Sequence, residues 1–84
     1  MSEEHKKHTL EMIATTPDSI NWDHVSPEWK YMARDEDGEV YLYQNEPRVR
    51  DTYWAGGTWI GASWFSSYVR GNVDWQDSLV VRPS

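Results

Sequence analysis

The sequence predicts an α+β fold: a three- or four-stranded antiparallel meander with a short N-terminal helix packed on one face. Three observations predict it. Leu10, Ile13 and Ala14 recur at helical spacing within residues 1–16. Asp35-Glu36-Asp37-Gly38 reads as a turn set directly before the β-formers Val40-Tyr41-Leu42-Tyr43. Gly56-Gly57 then separates Tyr53-Trp54-Ala55 from Thr58-Trp59-Ile60 in the manner of a second hairpin. The 84 residues are expected to form a single domain, 1–84. Within it, 1–16 is a weak helix, 17–28 a connector and 29–82 a set of antiparallel hairpins.

The helix has Ser2 as its cap and Glu3 and Glu4 at its positive end. Its apolar stripe is narrow, and Thr15-Thr16-Pro17 stops it. Ile20, Trp22 and Val25 pin the connector. Ser26-Pro27-Glu28 resembles a helix start, but the Asp-Gly turn before a clear strand favours a hairpin over residues 29–44. A three-residue loop at 36–38 would pair Arg34 with Val40, Ala33 with Tyr41 and Met32 with Leu42. Tyr31, Ala33, Tyr41 and Tyr43 then share one face, with Met32, Val40 and Leu42 on the other.

Glu46-Pro47 ends that hairpin. A two-residue primed turn at Gly56-Gly57 would pair Trp54 with Trp59 and Tyr53 with Ile60, and the strand would run on toward Val69. Arg70-Gly71-Asn72 turns the chain, and Val73, Trp75, Leu79 and Val81 anchor its end. Both hairpins carry large apolar groups on both faces. The helix covers one, so the other falls to the C-terminal segment, a second copy or a partner.

Composition narrows the function. Fourteen acids against eight bases give a formal charge of -6, which disfavours phosphate backbones. The chain has no cysteine, so disulfides, thiol catalysis and cysteine-held metals are excluded. No run is long and apolar enough for a membrane span, and the N-terminus lacks the apolar region of a signal peptide. A cytoplasmic setting is the expectation. Twelve residues are aromatic, six of them Trp and five Tyr, against thirteen Ile, Leu and Val together. Trp and Tyr are the residues of binding surfaces as well as of thin cores.

Chemical motifs are weak. Gly61-Ala62-Ser63-Trp64-Phe65 begins like a nucleophile elbow but lacks the closing glycine. His5 and His8, with Glu4, Glu11 and the distant His24, make an incomplete metal set. Asp35-x-Asp37-Gly38 suggests a calcium loop closing at Glu46, but a strand intervenes. Asp74 and Asp77 beside Trp75 carry no more weight than any other carboxylate pair. No phosphate loop is present. No catalytic residue, metal ligand or cofactor is therefore assigned. Tyr31, Tyr41 and Tyr43 on a sheet face would suit base stacking, but the acids at the hairpin tip oppose it. Trp54, Trp59 and the neighbouring glycines would suit a sugar-stacking platform, a reading that rests on analogy alone.

Ile20-Asn21-Trp22-Asp23-His24-Val25, Lys30-Tyr31-Met32-Ala33-Arg34-Asp35 and Asp74-Trp75-Gln76-Asp77-Ser78-Leu79-Val80-Val81-Arg82-Pro83 resemble small hypothetical proteins of tailed bacteriophages and prophages. The resemblance covers a third to a half of the chain. It implies a phage origin and a bacterial host cytoplasm, but no substrate, cofactor or functional residue. The expected function is a non-enzymatic accessory module that binds a host or phage protein and inhibits or modulates it. Trp54, Trp59 and Tyr53 form its binding surface, and Asp35, Glu36, Asp37 and Glu39 steer a basic partner. A homodimer and a single-stranded nucleic-acid binder are the alternatives.

Overall fold

The β1–β2 hairpin organises the fold. In the computed structural model, which describes residues 14–84, β1 is Tyr31–Arg34 and β2 is Val40–Tyr43. They pair antiparallel in the expected register, Arg34 with Val40 through Tyr31 with Tyr43. The turn closes on Asp35, whose N–H donates to the Glu39 carbonyl at 2.9 Å and whose carbonyl accepts from Gly38 at 2.9 Å. Gly38 has φ +93°, a conformation L side chains rarely adopt, which is why glycine stands there.

Four further strands follow: β3 Arg48–Val49, β4 Trp54–Ala55, β5 Trp59–Gly61 and β6 Val80–Val81. The main sheet has the order β5-β2-β1-β6, all antiparallel. β3 and β4 form a separate two-stranded ribbon. Two three-residue 3₁₀ turns, Trp22–His24 and Trp75–Asp77, complete the elements.

These elements correct the expected fold class. The described residues contain no α-helix, so the fold is antiparallel β rather than α+β. Most of the predicted N-terminal helix, residues 1–13, lies outside the described residues. Its last residues are not helical: Thr16 N–H donates to the Asn72 side chain at 2.6 Å, and the Asn72 amide donates to the Ala14 carbonyl at 2.9 Å. Long-range bonds to residue 72 have taken the backbone groups a helix would use.

Nor is the sheet a meander. The last strand returns to lie beside the first. The Gly56-Gly57 hairpin does not form either. Primed turns need positive φ, and among the described residues Gly38 has the only positive φ. Trp54 instead pairs with Val49, and Trp59 with Tyr43. The strand also stops at Gly61. Phe65 N–H returns to the Ala62 carbonyl and Tyr68 N–H to the Phe65 carbonyl, making successive turns where strand was expected.

Strand alternation gives the sheet two apolar faces, each covered differently. Met32, Val40 and Leu42 pack with Ile20, Val25 and Ala62, flanked by Trp22, Trp29, Ile60, Phe65, Tyr68 and Val80. Full burial of a side chain the size of Leu42 contributes about 1.5–3 kcal/mol. Ala33 and Tyr43 on the opposite face pack with Trp54, bordered by Tyr31, Tyr41, Trp75 and Leu79. The second face is thus covered by β4 and by the C-terminal segment.

Polar braces hold the irregular stretches. Buried Arg34 pairs with buried Asp18 at 2.6 Å and also donates to the Val73 carbonyl. The same Asp18 carboxylate accepts from the Tyr68 hydroxyl at 2.6 Å and the Gly71 N–H at 2.8 Å. Ser78 Oγ accepts the Arg34 N–H at 2.8 Å and turns its own proton toward the Arg34 and Trp75 carbonyls. The Arg82 guanidinium donates to the carbonyls of Trp22, Val25, Ser26 and Trp29 at 2.9–3.1 Å and lies 5.2 Å from the Trp22 ring centroid.

Candidate functional site

The second sheet face opens into an aromatic groove. Tyr41 and Tyr43 are two residues apart on β2, so both point to it. Trp59 of β5 is the Cα partner of Tyr43 and packs edge-on against Tyr41, with centroids 5.2 Å apart and planes at 80°. The ribbon supplies the facing wall. Together Asp35, Tyr41, Tyr43, Tyr53, Trp54, Ala55, Gly56 and Trp59 line a groove of about 340 Å³.

Trp54 is its floor. It is only 9% exposed, its indole N–H donates to the Trp75 carbonyl at 3.0 Å, and its backbone N–H donates to Asp35 Oδ1 at 2.8 Å. The Tyr43 hydroxyl donates to the Trp54 carbonyl at 3.2 Å. Gly56 makes this packing possible: a Cβ there would lie 2.7 Å from Tyr43 Cδ1. Trp59 and Tyr53 form the rim, 54% and 49% exposed.

The groove is electronegative. Burial pushes the Asp35 carboxyl above the ordinary carboxylate value, although the Trp54 N–H opposes the shift; the charges of Asp37 and Glu39 add to it. The Tyr41 hydroxyl is also pushed up, first by burial and then by the fields of Asp35, Glu39 and Asp37. Tyr43 is pushed higher still, mainly by burial.

The structure brings Trp54, Trp59, Tyr53 and Asp35 together around one groove. Trp54 does not present a free surface, and it does not face Trp59 across a hairpin. Glu36, Asp37 and Glu39 stand exposed on the hairpin tip and do not line the groove. Glu36 N–H donates to the Thr52 carbonyl at 3.1 Å, which ties the tip to the ribbon approach. Tyr41 and Tyr43 complete the lining. The shared face predicted for them was the signal, but only the position of the ribbon turns that face into a groove.

The other candidates have structural partners. Ser63 accepts the Val40 N–H at 2.9 Å and donates to Glu39 Oε2 at 3.1 Å, bracing the sheet edge. Asn21 caps the first 3₁₀ turn by accepting from Asp23 N–H at 3.0 Å, and its amide faces His24 Nε2 at 3.4 Å. Among the described residues, no group of three or more His, Cys, Asp or Glu is placed to hold a metal ion. No helix there is long and apolar enough to cross a membrane.

No protein-family model, no curated protein and no solved structure matches this chain.

Proposed function

We propose that this chain is a small phage-type accessory protein, a non-enzymatic module that binds a host or phage protein through its aromatic groove in the bacterial cytoplasm. One observation carries the reading: Trp59 and Tyr53 stand about half exposed at the rim of a groove whose floor, Trp54 and Tyr43, is buried and hydrogen-bonded. Exposed Trp and Tyr around a rigid pocket have the composition and geometry of an interface hot spot. A fixed floor reduces the ordering cost of association. The phage setting rests on the sequence resemblance. Several residues that carry it, Asn21, Arg34, Asp35, Trp75, Ser78 and Arg82, are the braces and caps of this fold.

The test is affinity capture from bacterial lysate with the wild type, Trp59→Ala and Tyr53→Ala, washed at low and high salt. One partner held by the wild type at high salt and lost from both variants, with melting temperatures unchanged, supports the reading. Equal capture by all three removes the groove from the interaction. A concentration-dependent dimer abolished by Trp59→Ala in light scattering would replace it with self-association.

A further inference from the structure

We infer that the groove receives a basic side chain, Lys or Arg, presented by the partner protein. This rests on the protein-binding reading above and specifies what enters the groove.

The lining has one charge, and it is negative. Five aromatic residues, Tyr41, Tyr43, Tyr53, Trp54 and Trp59, line the groove together with Asp35. The face of an aromatic ring carries the negative part of its quadrupole, so Trp and Tyr faces attract a cation. Tyr41 and Trp59, with planes at 80°, give two walls at nearly a right angle. Tyr53 stands at the rim with Trp59.

Asp35 supplies the counter-charge. Its Oδ1 accepts the Trp54 N–H at 2.8 Å, and its Oδ2 has no hydrogen-bond partner among the described residues. The carboxylate is partly withdrawn from water, so an arriving cation meets weaker screening than at an open surface. Glu36, Asp37 and Glu39 on the adjoining tip extend the negative field outward. Arg70 approaches that tip beside Gly38, and Arg48 and Arg50 lie on or beside the ribbon; none of the three lines the groove.

Other occupants fit less well. An apolar side chain would bury Asp35 further without a counter-charge, which is costly. An acidic side chain or a phosphate would be repelled by Asp35 and the tip.

The experiment titrates the ¹⁵N-labelled full chain with Gly-Gly-Arg-Gly-Gly, its lysine counterpart, and the same peptide with citrulline. Citrulline keeps the shape of arginine and lacks its charge. The arginine and lysine peptides should shift the Trp59 indole and the Tyr41 amide, and bind about tenfold or more tighter than the citrulline peptide. Asp35→Asn keeps an oxygen for the Trp54 N–H and removes the charge; it should weaken binding by about tenfold in a chain whose spectrum shows an intact fold. Trp59→Ala should weaken it similarly.

Equal binding of the arginine and citrulline peptides overturns the inference, as does a folded Asp35→Asn chain with unchanged affinity. If no peptide binds while partner capture still depends on Trp59, the groove binds a protein but not through a basic side chain. If the basic peptides bind with the expected charge dependence while capture ignores Trp59, the cation site stands and the protein-binding reading falls.

Discussion

Asp35 and Trp54 lock the acidic hairpin to the aromatic ribbon: the Asp35 carboxylate accepts the Trp54 backbone N–H at 2.8 Å. This bond, with that from Glu36 N–H to the Thr52 carbonyl, sets the tip of β1–β2 against the groove. The Trp54 carbonyl is held in turn by the Tyr43 hydroxyl, so both sides of this residue are tied to the hairpin.

The first prediction separates bond from charge at Asp35. Asp35→Ala leaves the Trp54 N–H without its partner and should cost about 1–3 kcal/mol. Asp35→Asn retains an acceptor and should cost much less. Burial holds the Asp35 carboxyl above its ordinary value of 3.8, so its ionisation opposes folding. The wild type is therefore favoured at low pH and loses that advantage as pH rises from the unfolded-state value through the folded one. Chemical denaturation from about pH 3 to about pH 6 should show the wild type losing stability relative to Asp35→Asn. A constant difference across that range would contradict the assignment.

The second prediction concerns the buried Asp18–Arg34–Tyr68 network. Removing Arg34 takes the guanidinium partner from the buried Asp18 carboxyl, so Arg34→Met should cost about 3–5 kcal/mol. Burial, the hydrogen bond to Asp18 and that residue's negative charge push the Tyr68 hydroxyl up to about 12, against the opposing effect of Arg34. Its contribution is fully present below the unfolded value of 10.0 and is lost as pH rises toward about 12. After allowance for the partly exposed ring, the loss is on the order of 1–2 kcal/mol. Thermal melts at alkaline pH should show a steeper decline in the wild type than in Tyr68→Phe.

Third, Arg82 should not tolerate lysine. Its guanidinium bonds four carbonyls of residues 22–29 and lies over Trp22. An ammonium has three donors and no planar fork, so Arg82→Lys leaves carbonyls unpaired and should cost about 1–3 kcal/mol. Hydrogen exchange localises the effect: amides of residues 22–30 should lose protection before those of β1 and β2. A uniform loss would mean that Arg82 braces the sheet rather than the connector.

The β1–β2 register was legible because every signal for it is local: alternating apolar residues around an Asp-Gly turn. The aromatic excess singled out Tyr53, Trp54 and Trp59, and Asp35 was read as part of the steering tip rather than of a groove. What joins them was not legible. The Asp35–Trp54 bond, the return of Val80–Val81 to β1 and the binding of Asn72 to Thr16 link residues far apart in sequence, and two-residue strands have almost no periodicity to read. The N-terminal helix was predicted on a narrow stripe, and at its described end tertiary bonds from Asn72 prevail over that weak propensity.

Gly56-Gly57 gives the sharpest test of that lesson. A primed hairpin would need positive φ at one or both glycines, so alanine would be disfavoured within the turn itself. The structure makes the two positions unequal. A Cβ at Gly56 would meet Tyr43 Cδ1 at 2.7 Å and Pro47 Cβ at 3.3 Å, whereas one at Gly57 would find nothing within 4 Å. Neither has positive φ. Gly56→Ala must displace the buried Tyr43 ring, so it should cost about 1–3 kcal/mol and shift the Tyr41 and Trp59 resonances with it. Gly57→Ala should be neutral or stabilise by up to about 1 kcal/mol, because it restricts the unfolded chain at no cost to the folded one. Equal destabilisation by the two alanines would restore the tight turn and detach β4 from the groove.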